Sequence, residues 1–361
     1  MKGISLYIAL VVIFSWHCTS FAKPAEDKPK FKEKQIVVHG SPVDFPGHEV
    51  VKYLPNADLT ILEVPRGSEK KQVRTMLASG YQAGLNYLLY AFASVNDPYF
   101  SPYQSNLRSV QSESAWDLTA GEGVTIAVLD TGLAVGGTDG IGCVHMGYDI
   151  VNNDNDPADV SGHGTHVAGT IAQKSDNETG CAGMSYAACV MPVKVLDDTG
   201  SGTSADIADG IYWAVNNGSK VINMSLGFNA EYGITNDPVI DPALDYAYNN
   251  NVTVVVSSGN DASGDNVSYP AIYPTCIAVG ATDYLNEVTG YSNKGIGLDL
   301  VAPGGDLSAD KNGDGYPDGI LQETFNSGSW EYSFYEGTSM AAPHVSAAAA
   351  MLIAYGTAST P

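Results

Sequence analysis

From about residue 97 onward, two hydrophobic patterns alternate along the chain. Short β-rich runs are separated by longer segments whose apolar residues recur at helical spacing. In "SADIADGIYWAVNNG", for example, Ile207, Ile211, Ala214 and Val215 follow the helical period. The β-rich runs are "VTIAVLD", "CVMPVKVL", "KVINMSL", "VTVVVSS", "CIAVGAT" and "LDLVAP". This alternation predicts an α/β fold, a doubly wound parallel sheet with helices on both faces. Functional groups in such folds lie at the carboxyl ends of the strands.

The N-terminal residues follow a different pattern. Residues 1–22 have a positively charged start, an apolar run over residues 4–16, and small residues at Ser20 and Ala22. This order is typical of a cleaved secretory signal peptide, and the run is shorter than the roughly 20 residues that span a membrane. Lipid attachment at Cys18 is an alternative. We expect a secreted protein with no membrane association after signal cleavage.

A small unit is predicted between the signal and the alternating region. Residues 23–35 ("KPAEDKPKFKEKQ") are charged and contain prolines, as linkers do. Residues 36–92 combine strand-like runs such as "LTILEV" with the helix-like segment "SEKKQVRTMLAS". This mixture is sufficient for a small α+β domain.

Charge divides the chain at the same place. Residues 1–96 carry 11 Lys/Arg and 8 Asp/Glu, whereas residues 97–361 carry 6 Lys/Arg and 32 Asp/Glu. With 44% hydrophobic residues, the chain can form one large core and a small appended domain. An acidic domain is a poor partner for nucleic acid, so we expect none. Its carboxylates suit calcium, and the basic N-terminal part is suited to dock on it.

Four cysteines follow the signal: Cys143, Cys181, Cys189 and Cys276. An even number in an exported chain indicates two disulfides with three possible pairings. We prefer Cys181 with Cys189, because they flank one short loop before a strand. Buried free thiols are the alternative.

Three reactive side chains stand where predicted strands end or helices begin. The strand "VTIAVL" ends on Asp130, "GHGTHVAGTIAQ" opens a helix with His163, and "GTSMAAPHVSAAAAML" opens another with Ser339. A serine hydroxyl is a weak nucleophile until a base takes its proton. An imidazole base in turn needs a carboxylate to fix its tautomer. The three residues therefore suit nucleophilic catalysis, although Gly-Thr-Ser is also an ordinary helix start.

These motifs resemble those of the subtilisin-like serine proteases (subtilases), most closely the thermitase-like branch. The matching stretches are "AVLDTG", "GHGTHVAGT", "VINMSLG", "SSGN" and "GTSMAAPHV". Their order of Asp, His and Ser is the one known for subtilisin. The resemblance covers about residues 96–354 and implies a broad-specificity serine endopeptidase. Asp130 would orient the imidazole, His163 would act as general base and then acid, and Ser339 would be the nucleophile.

The resemblance also implies the remaining catalytic and substrate contacts. Asn260 and the Ser339 N–H would stabilise the oxyanion, whereas His166 and His344 look structural. Contacts to protein or peptide substrates are implied at Gly200, Ser201, Gly202, Ser225, Leu226, Gly227, Ser257, Ser258 and Gly259. Backbone pairing with an extended substrate tolerates many sequences, which agrees with broad specificity.

Acidic segments indicate one to three structural Ca²⁺ ions, because calcium takes about six to eight oxygen ligands. The resemblance implies a first site at Asp97, Asp139, Lys174, Asn177, Thr179 and Cys181. It implies a second at Asp149, Asp154 and Asp156, although Asn152 stands where an acid is expected. The segment "DKNGDGYPDG" independently spaces four residues like an EF-hand-type loop, except that Leu321 replaces the final Glu. These residues are Asp310, Asn312, Asp314 and Asp318. A solvated polar loop is the alternative for each cluster.

Residues 23–95 resemble a propeptide of this family. The resemblance implies that this segment inhibits the enzyme, assists its folding and is removed autocatalytically near Phe92–Val95. A folding template is physically reasonable, because parallel folds with non-local contacts fold slowly. Residues 96–361 would be the catalytic domain, which we expect to be monomeric. It ends sooner after Ser339 than is usual in the family, so we expect a truncated C-terminal end.

Three other interpretations account for some of the motifs. "DTG" also marks aspartic proteases, but these need two carboxylates in one site and a second such motif is missing. A calcium-dependent adhesion module would account for the acidic loops but not for the His and Ser motifs. A catalytically inactive relative is the third. Reaction with a serine-specific fluorophosphonate discriminates among them.

Overall fold

The computed structural model describes residues 31–87, 95–326 and 328–358. The expected signal peptide and most of the expected cleavage segment lie outside these ranges. The chain divides into two compact units, Met1–Leu88 and Leu89–Pro361. The assignment of these parts as propeptide and catalytic domain stays a prediction.

Within its described residues, the first unit is a four-stranded antiparallel sheet with one α-helix and a short 3-10 helix, Pro42–Asp44. In chain order its elements are β1 (Phe31–His39), β2 (Val50–Leu54), β3 (Leu59–Glu63), α1 (Glu69–Ala78) and β4 (Ala83–Tyr87). The strands lie in the order β2-β3-β1-β4. Ile36, Val38, Leu62 and Met76 form a small core, because alternate strand positions face the helix.

The second unit contains nine strands, seven α-helices and a short 3-10 helix, Ala230–Tyr232, within its described residues. Its strands are β5 (Thr125–Asp130), β6 (Tyr148–Asp149), β7 (Cys189–Lys194), β8 (Val221–Met224), β9 (Thr253–Ser257), β10 (Cys276–Thr282), β11 (Leu300–Pro303), β12 (Ile320–Asn326) and β13 (Ser329–Tyr335). Its helices are α2 (Phe100–Tyr103), α3 (Ser105–Ser109), α4 (Ser112–Trp116), α5 (His163–Ala172), α6 (Ser204–Asn216), α7 (Asp241–Asn249) and α8 (Thr338–Ala354). None of the helices in the described ranges is long and apolar enough to cross a bilayer.

Seven of these strands form a parallel sheet in the order β11-β10-β9-β8-β5-β7-β6. Alternate residues of β5 face opposite sides of the sheet. Ile126 and Val128 pack in one core with α5 and α8, whereas Ala127 and Leu129 pack in another with α6 and α7. The predicted doubly wound α/β fold is confirmed. Because β5 lies inside the sheet, its carboxyl end is surrounded by other strand ends.

The antiparallel hairpin β12–β13 was not predicted from the sequence. It pairs from Ile320 with Tyr335 at its base to Asn326 with Ser329 at its tip. Gln322, Glu323 and Thr324 are all buried. Since these side chains are polar, the segment lacks the apolar pattern of a buried strand.

The expected cysteine pairing is wrong. The disulfide joins Cys143 to Cys189, whereas Cys181 and Cys276 are buried free thiols. The segment at Cys143 runs beside the start of β7, where Val190 N donates to Cys143 O at 2.9 Å. Cys181 instead lies in a loop that turns away, and its N–H donates to Asp139 Oδ2 at 2.7 Å. Neighbours in sequence are therefore not neighbours in space here.

We predict that peptide mapping without reduction will find Cys143 linked to Cys189. Cys181 and Cys276 should react with alkylating reagents only after denaturation, since both are buried. Replacing both linked cysteines with serine should lower the free energy of unfolding by about 2–4 kcal/mol, because the bond closes a long loop. A peptide joining Cys181 to Cys189 would contradict this assignment.

Candidate active site

Asp130 and His163 form a hydrogen-bonded acid–imidazole pair. Asp130 ends β5 and is fully buried, whereas His163 begins α5 and keeps 30% of its side chain exposed. His163 Nδ1 lies 2.7 Å from Asp130 Oδ1, which also accepts a bond from Thr131 N. With Nδ1–H donated to the carboxylate, Nε2 is left to accept a proton. The pair has the tautomer that a general base requires.

A second buried carboxylate, Asp159, holds the elements of this pair together. Its Oδ1 accepts bonds from Thr131 Oγ1, Ser161 N and Gly162 N at 2.9–3.0 Å. Its Oδ2 accepts bonds from the N–H and hydroxyl of Thr165 at 2.9 and 2.7 Å. Thr131 follows the strand that carries the acid, and Thr165 lies in the helix that carries the base. Hydrogen bonds to charged groups contribute about 1.5–3 kcal/mol each, so this carboxylate fixes strand end and helix start together.

The charge around His163 favours its protonated form. Burial disfavours the charged imidazole, but the carboxylates of Asp130 and Asp159 outweigh burial and raise the pKa of His163. A base whose pKa is raised accepts a proton more readily. The site therefore stabilises the imidazolium that would form when a hydroxyl is deprotonated.

Ser339 is the second residue of α8 and is held by Ser225. Ser225 Oγ donates to Ser339 O at 2.7 Å, and Ser339 Oγ donates to Ser225 O at 3.3 Å. Ser225 follows β8 and lines the same cavity as His163. The structure thus brings all three sequence-predicted catalytic side chains to one edge of the sheet. The Ser339 hydroxyl is directed to Ser225.

Asn260 is oriented by the residue before Ser339. Its Oδ1 accepts bonds from both the N–H and the hydroxyl of Thr338, each at 2.9 Å. This leaves Nδ2 as the amide group available to a ligand. A Cβ added to Gly337 would lie 3.4 Å from Asn260 Nδ2 and 3.7 Å from Ser339 N. First-turn N–H groups have no partner within their helix, so two donors converge on this space.

A cavity of about 520 Å³ adjoins the imidazole. Six of the nine predicted substrate residues line it: Gly200, Ser201, Gly202, Ser225, Leu226 and Gly227. Ser257 and Ser258 are buried and do not line it, and Gly259 N donates instead to Thr338 Oγ1. Its apolar part includes Leu196, Ile207 and Phe228. Their place in the cavity was not predicted, because nothing in a local sequence pattern shows that these three residues lie side by side.

The first predicted calcium cluster is brought together around two buried carboxylates. Asp139 accepts bonds from Asn177 Nδ2 and Cys181 N, and Asp97 accepts one from Asp176 N. Asn177 presents its nitrogen to Asp139, and its oxygen accepts from Thr179 N. Lys174 lies in the same loop and donates its N–H to Gly140 O.

This cluster carries uncompensated negative charge. Asp97 Oδ1 is buried and has no hydrogen-bond partner among the described residues. Burial raises the pKa of Asp139 to about 7, with the carboxylates of Glu323 and Asp97 acting in the same direction. Asp97 and Asp139 are therefore suited to hold a divalent cation.

The other two predicted clusters are satisfied mainly by their own loops. In the second, both oxygens of Asp149 accept bonds from Asn152, and Asp154 Oδ1 accepts one from Asp156 N. In the third, Asp310 accepts bonds from three N–H groups of its loop, and Asn312 and Asp314 bond to each other. Asp318 accepts a bond from Lys311 N, while its Oδ1 is buried without a partner in the described chain.

Comparison with known proteins agrees with this geometry. Residues 121–361 match the family model described as the subtilase family. The chain is 40% identical over 272 residues to a thermophilic serine proteinase of Bacillus sp. (strain AK1), covering 75% of this chain and 62% of that one. It is 38% identical over 269 residues to thermitase of Thermoactinomyces vulgaris, covering 72% and 86% of the two chains. A solved protease from Pseudoalteromonas arctica aligns with TM-score 0.64 and 32% identity over 72% of this chain and 87% of that chain.

We predict that Asp159→Asn will lower kcat/KM about tenfold and shift its acidic limb to lower pH. The amide can no longer accept all five bonds, and loss of the charge removes one cause of the raised His163 pKa. Because the base must be neutral, a lower pKa leaves it active at lower pH. The measurement is a pH profile of kcat/KM.

Asp283→Asn is the matched control for this measurement. Asp283 is also buried and accepts loop N–H bonds, but these come from Leu285 and Glu287. The acidic limb of the kcat/KM profile of Asp283→Asn should lie at the same pH as that of the wild type. An unshifted limb in Asp159→Asn would show that Asp159 does not act on the imidazole.

Proposed function

The chain belongs to the subtilase family of serine endopeptidases, and we propose that it hydrolyses proteins with Ser339, His163 and Asp130 as a catalytic triad. The observation that carries this proposal is the 2.7 Å hydrogen bond between His163 Nδ1 and Asp130 Oδ1. It lies beside the cavity that includes Ser225, the partner of Ser339. A buried acid, a partly exposed imidazole and a serine at one sheet edge suit acyl transfer.

The first half-reaction forms an acyl-enzyme. The Ser339 hydroxyl turns from Ser225 O toward His163 Nε2, which takes its proton as Oγ bonds to the substrate carbonyl carbon. The carbonyl oxygen becomes an oxyanion, which Asn260 Nδ2 and Ser339 N stabilise by hydrogen bonds. His163 then gives the proton to the leaving nitrogen, and the C–N bond breaks. Water repeats the sequence in the second half-reaction and releases the acid product.

Substrate binding is proposed to use the segment Gly200–Gly202. It is exposed and belongs to no strand, and Asp197 fixes it by accepting bonds from Thr199 and Ser201. An extended peptide could pair with its backbone independently of side chains. Broad specificity follows, with preference set by the apolar part of the cavity.

The precursor organisation is proposed from the sequence. A signal peptide directs the chain to the exterior, and residues 23–95 act as an inhibitor that the mature enzyme removes. The processed protein is proposed to act as a secreted monomer on protein or peptide substrates.

Structural calcium is proposed at the Asp97–Asp139 cluster. Support comes from the buried Asp97 Oδ1 that lacks a partner in the described ranges and from the uncompensated charge on Asp139. A bound Ca²⁺ would supply the missing positive charge and fix the loop from Lys174 to Cys181. The clusters at Asp149 and Asp310 are weaker candidates, because their carboxylates already accept bonds from their own loops.

We predict that a fluorophosphonate will label the protein stoichiometrically at Ser339. Ser339→Ala should not be labelled, should lose all measurable peptidase activity, and should accumulate uncut precursor. Intact-mass and peptide mass spectrometry report the label and the N-terminus together. Absence of labelling in folded wild-type protein would refute the triad, whereas normal processing of Ser339→Ala would show that cleavage occurs in trans.

We predict that calcium raises the melting temperature through the Asp97–Asp139 cluster. At a hundredfold excess over Kd, a ligand specific for the native state stabilises it by about 2.7 kcal/mol. Asp139→Asn should lose most of this gain, whereas Asp149→Asn should retain it because Asn152 already occupies its oxygens. Thermal unfolding of the two variants, each combined with Ser339→Ala, avoids self-digestion. If calcium raises the melting temperature of the Asp139→Asn, Ser339→Ala double variant as much as that of the Ser339→Ala single variant, calcium does not bind at this cluster.

A further inference from the structure

His166 is a buried histidine that makes none of the bonds within the acid–imidazole pair. It lies three residues after His163 on α5 and is fully buried. Its Nε2 lies 3.0 Å from Ile320 O and 3.1 Å from Ser333 O. Both acceptors are carbonyls, so Nε2 carries the proton and shares it between the two strands of the hairpin.

The ring also packs on the base of the same hairpin. His166 and Tyr335 stack with centroids 4.3 Å apart and planes inclined by 6°. Tyr335 pairs with Ile320 and is the last residue of β13. Ser339 follows four residues later. His166 therefore contacts the end of the hairpin from which the chain continues to Ser339.

A second contact ties the hairpin to the start of α5. Thr324 Oγ1 donates to Gly162 O at 2.5 Å, and the same carbonyl accepts the His166 N–H at 3.1 Å. Gly162 directly precedes His163. The hairpin thus contacts α5 both before and after the predicted base.

We propose that β12–β13 is a clamp that sets the spacing between His163 and Ser339, and that His166 is the positioning residue that closes it. The base is carried by α5, and the nucleophile follows β13 on α8. If the hairpin shifts along α5, Ser339 moves relative to His163. Two carbonyls held by one N–H, together with a stacked ring, oppose that slip. This inference rests on the proposed triad.

The test compares two substitutions of His166 that remove different contacts. His166→Phe keeps a flat ring against Tyr335 but removes the donor, whereas His166→Gln loses the ring and keeps a donor near Nε2. His344→Phe is the matched control, because His344 is equally buried but bonds to Asn106 and Met340 O. Each variant is measured for melting temperature, KM, kcat per titrated active site, and rate of fluorophosphonate labelling.

In His166→Phe, kcat and the labelling rate should fall together by about 10- to 100-fold, because small displacements of reacting groups have effects of this size. KM for a short substrate should stay within about twofold, since the cavity residues are untouched. His166→Gln should recover about tenfold of the loss. His344→Phe should lower the melting temperature and keep kcat within about threefold.

Two outcomes would overturn the clamp. One is a His166→Phe variant with reduced melting temperature but unchanged kcat and labelling rate. The other is an equal loss of kcat in His166→Phe and His344→Phe, which indicates general loosening of the core. If His166→Phe does not fold, His166→Gln decides the question. A loss of kcat and labelling rate together by less than about tenfold supports the clamp, because the donor remains and only the ring is lost, whereas unchanged kcat or a loss greater than about tenfold contradicts it. Wild-type protein that resists labelling would refute the triad instead.

Discussion

The arrangement of the site depends on one buried carboxylate, Asp159, which accepts five hydrogen bonds from two parts of the chain. Satisfying it draws the end of β5 against the start of α5, and this approach leaves no room for side chains. A Cβ on Gly132 would lie 2.4 Å from Pro157 O, and one on Gly164 would lie 2.4 Å from Gly132 O. The glycines of "DTG" and "GHGTH" are thus explained by packing as well as by the motif. Asp130 and His163 meet because the backbone around them is held this closely.

The strands and helices made of apolar or small residues were predicted from the sequence. The strands near Asp130 and Ser225, and the helices that begin at His163 and Thr338, are continuous apolar or small-residue segments. The hairpin β12–β13 was missed because its buried residues include Gln322, Glu323 and Thr324, which a sequence pattern places at the surface. Asp159 was not predicted, because the sequence does not show that one carboxylate accepts bonds from both Thr131 and Thr165. The disulfide could not be predicted from separation along the chain, because the fold places Cys143 beside the start of β7, where Cys189 lies.

The surroundings of the buried carboxylates show why the acidic composition of a segment does not identify a metal site. Asp159 is buried with five protein donors, so its charge is fully solvated by the fold. Asp149 is buried too, but both its oxygens are taken by Asn152. Asp97 and Asp139 are buried with fewer donors and lie near a third carboxylate, Glu323. A buried carboxylate without enough donors needs a cation or a proton. The number of donors around each acid, and not the number of acids in a segment, separates a structural carboxylate from a candidate ligand.

The two histidines of "GHGTH" show the same dependence on surroundings. His163 has a partly exposed edge and faces two carboxylates, and its pKa is raised. His166, one helical turn away, is surrounded by protein and faces carbonyl oxygens, and burial lowers its pKa to about 3. An imidazole that must gain and lose protons needs nearby negative charge and access to the cleft. His166 Nδ1 is buried without a partner among the described residues, so protonation would place an unpaired N–H and a positive charge there, and the neutral ring is favoured with its proton on Nε2. One helix therefore carries the proposed proton carrier, His163, and a neutral donor, His166, on successive turns, and the carboxylates of Asp130 and Asp159 distinguish them.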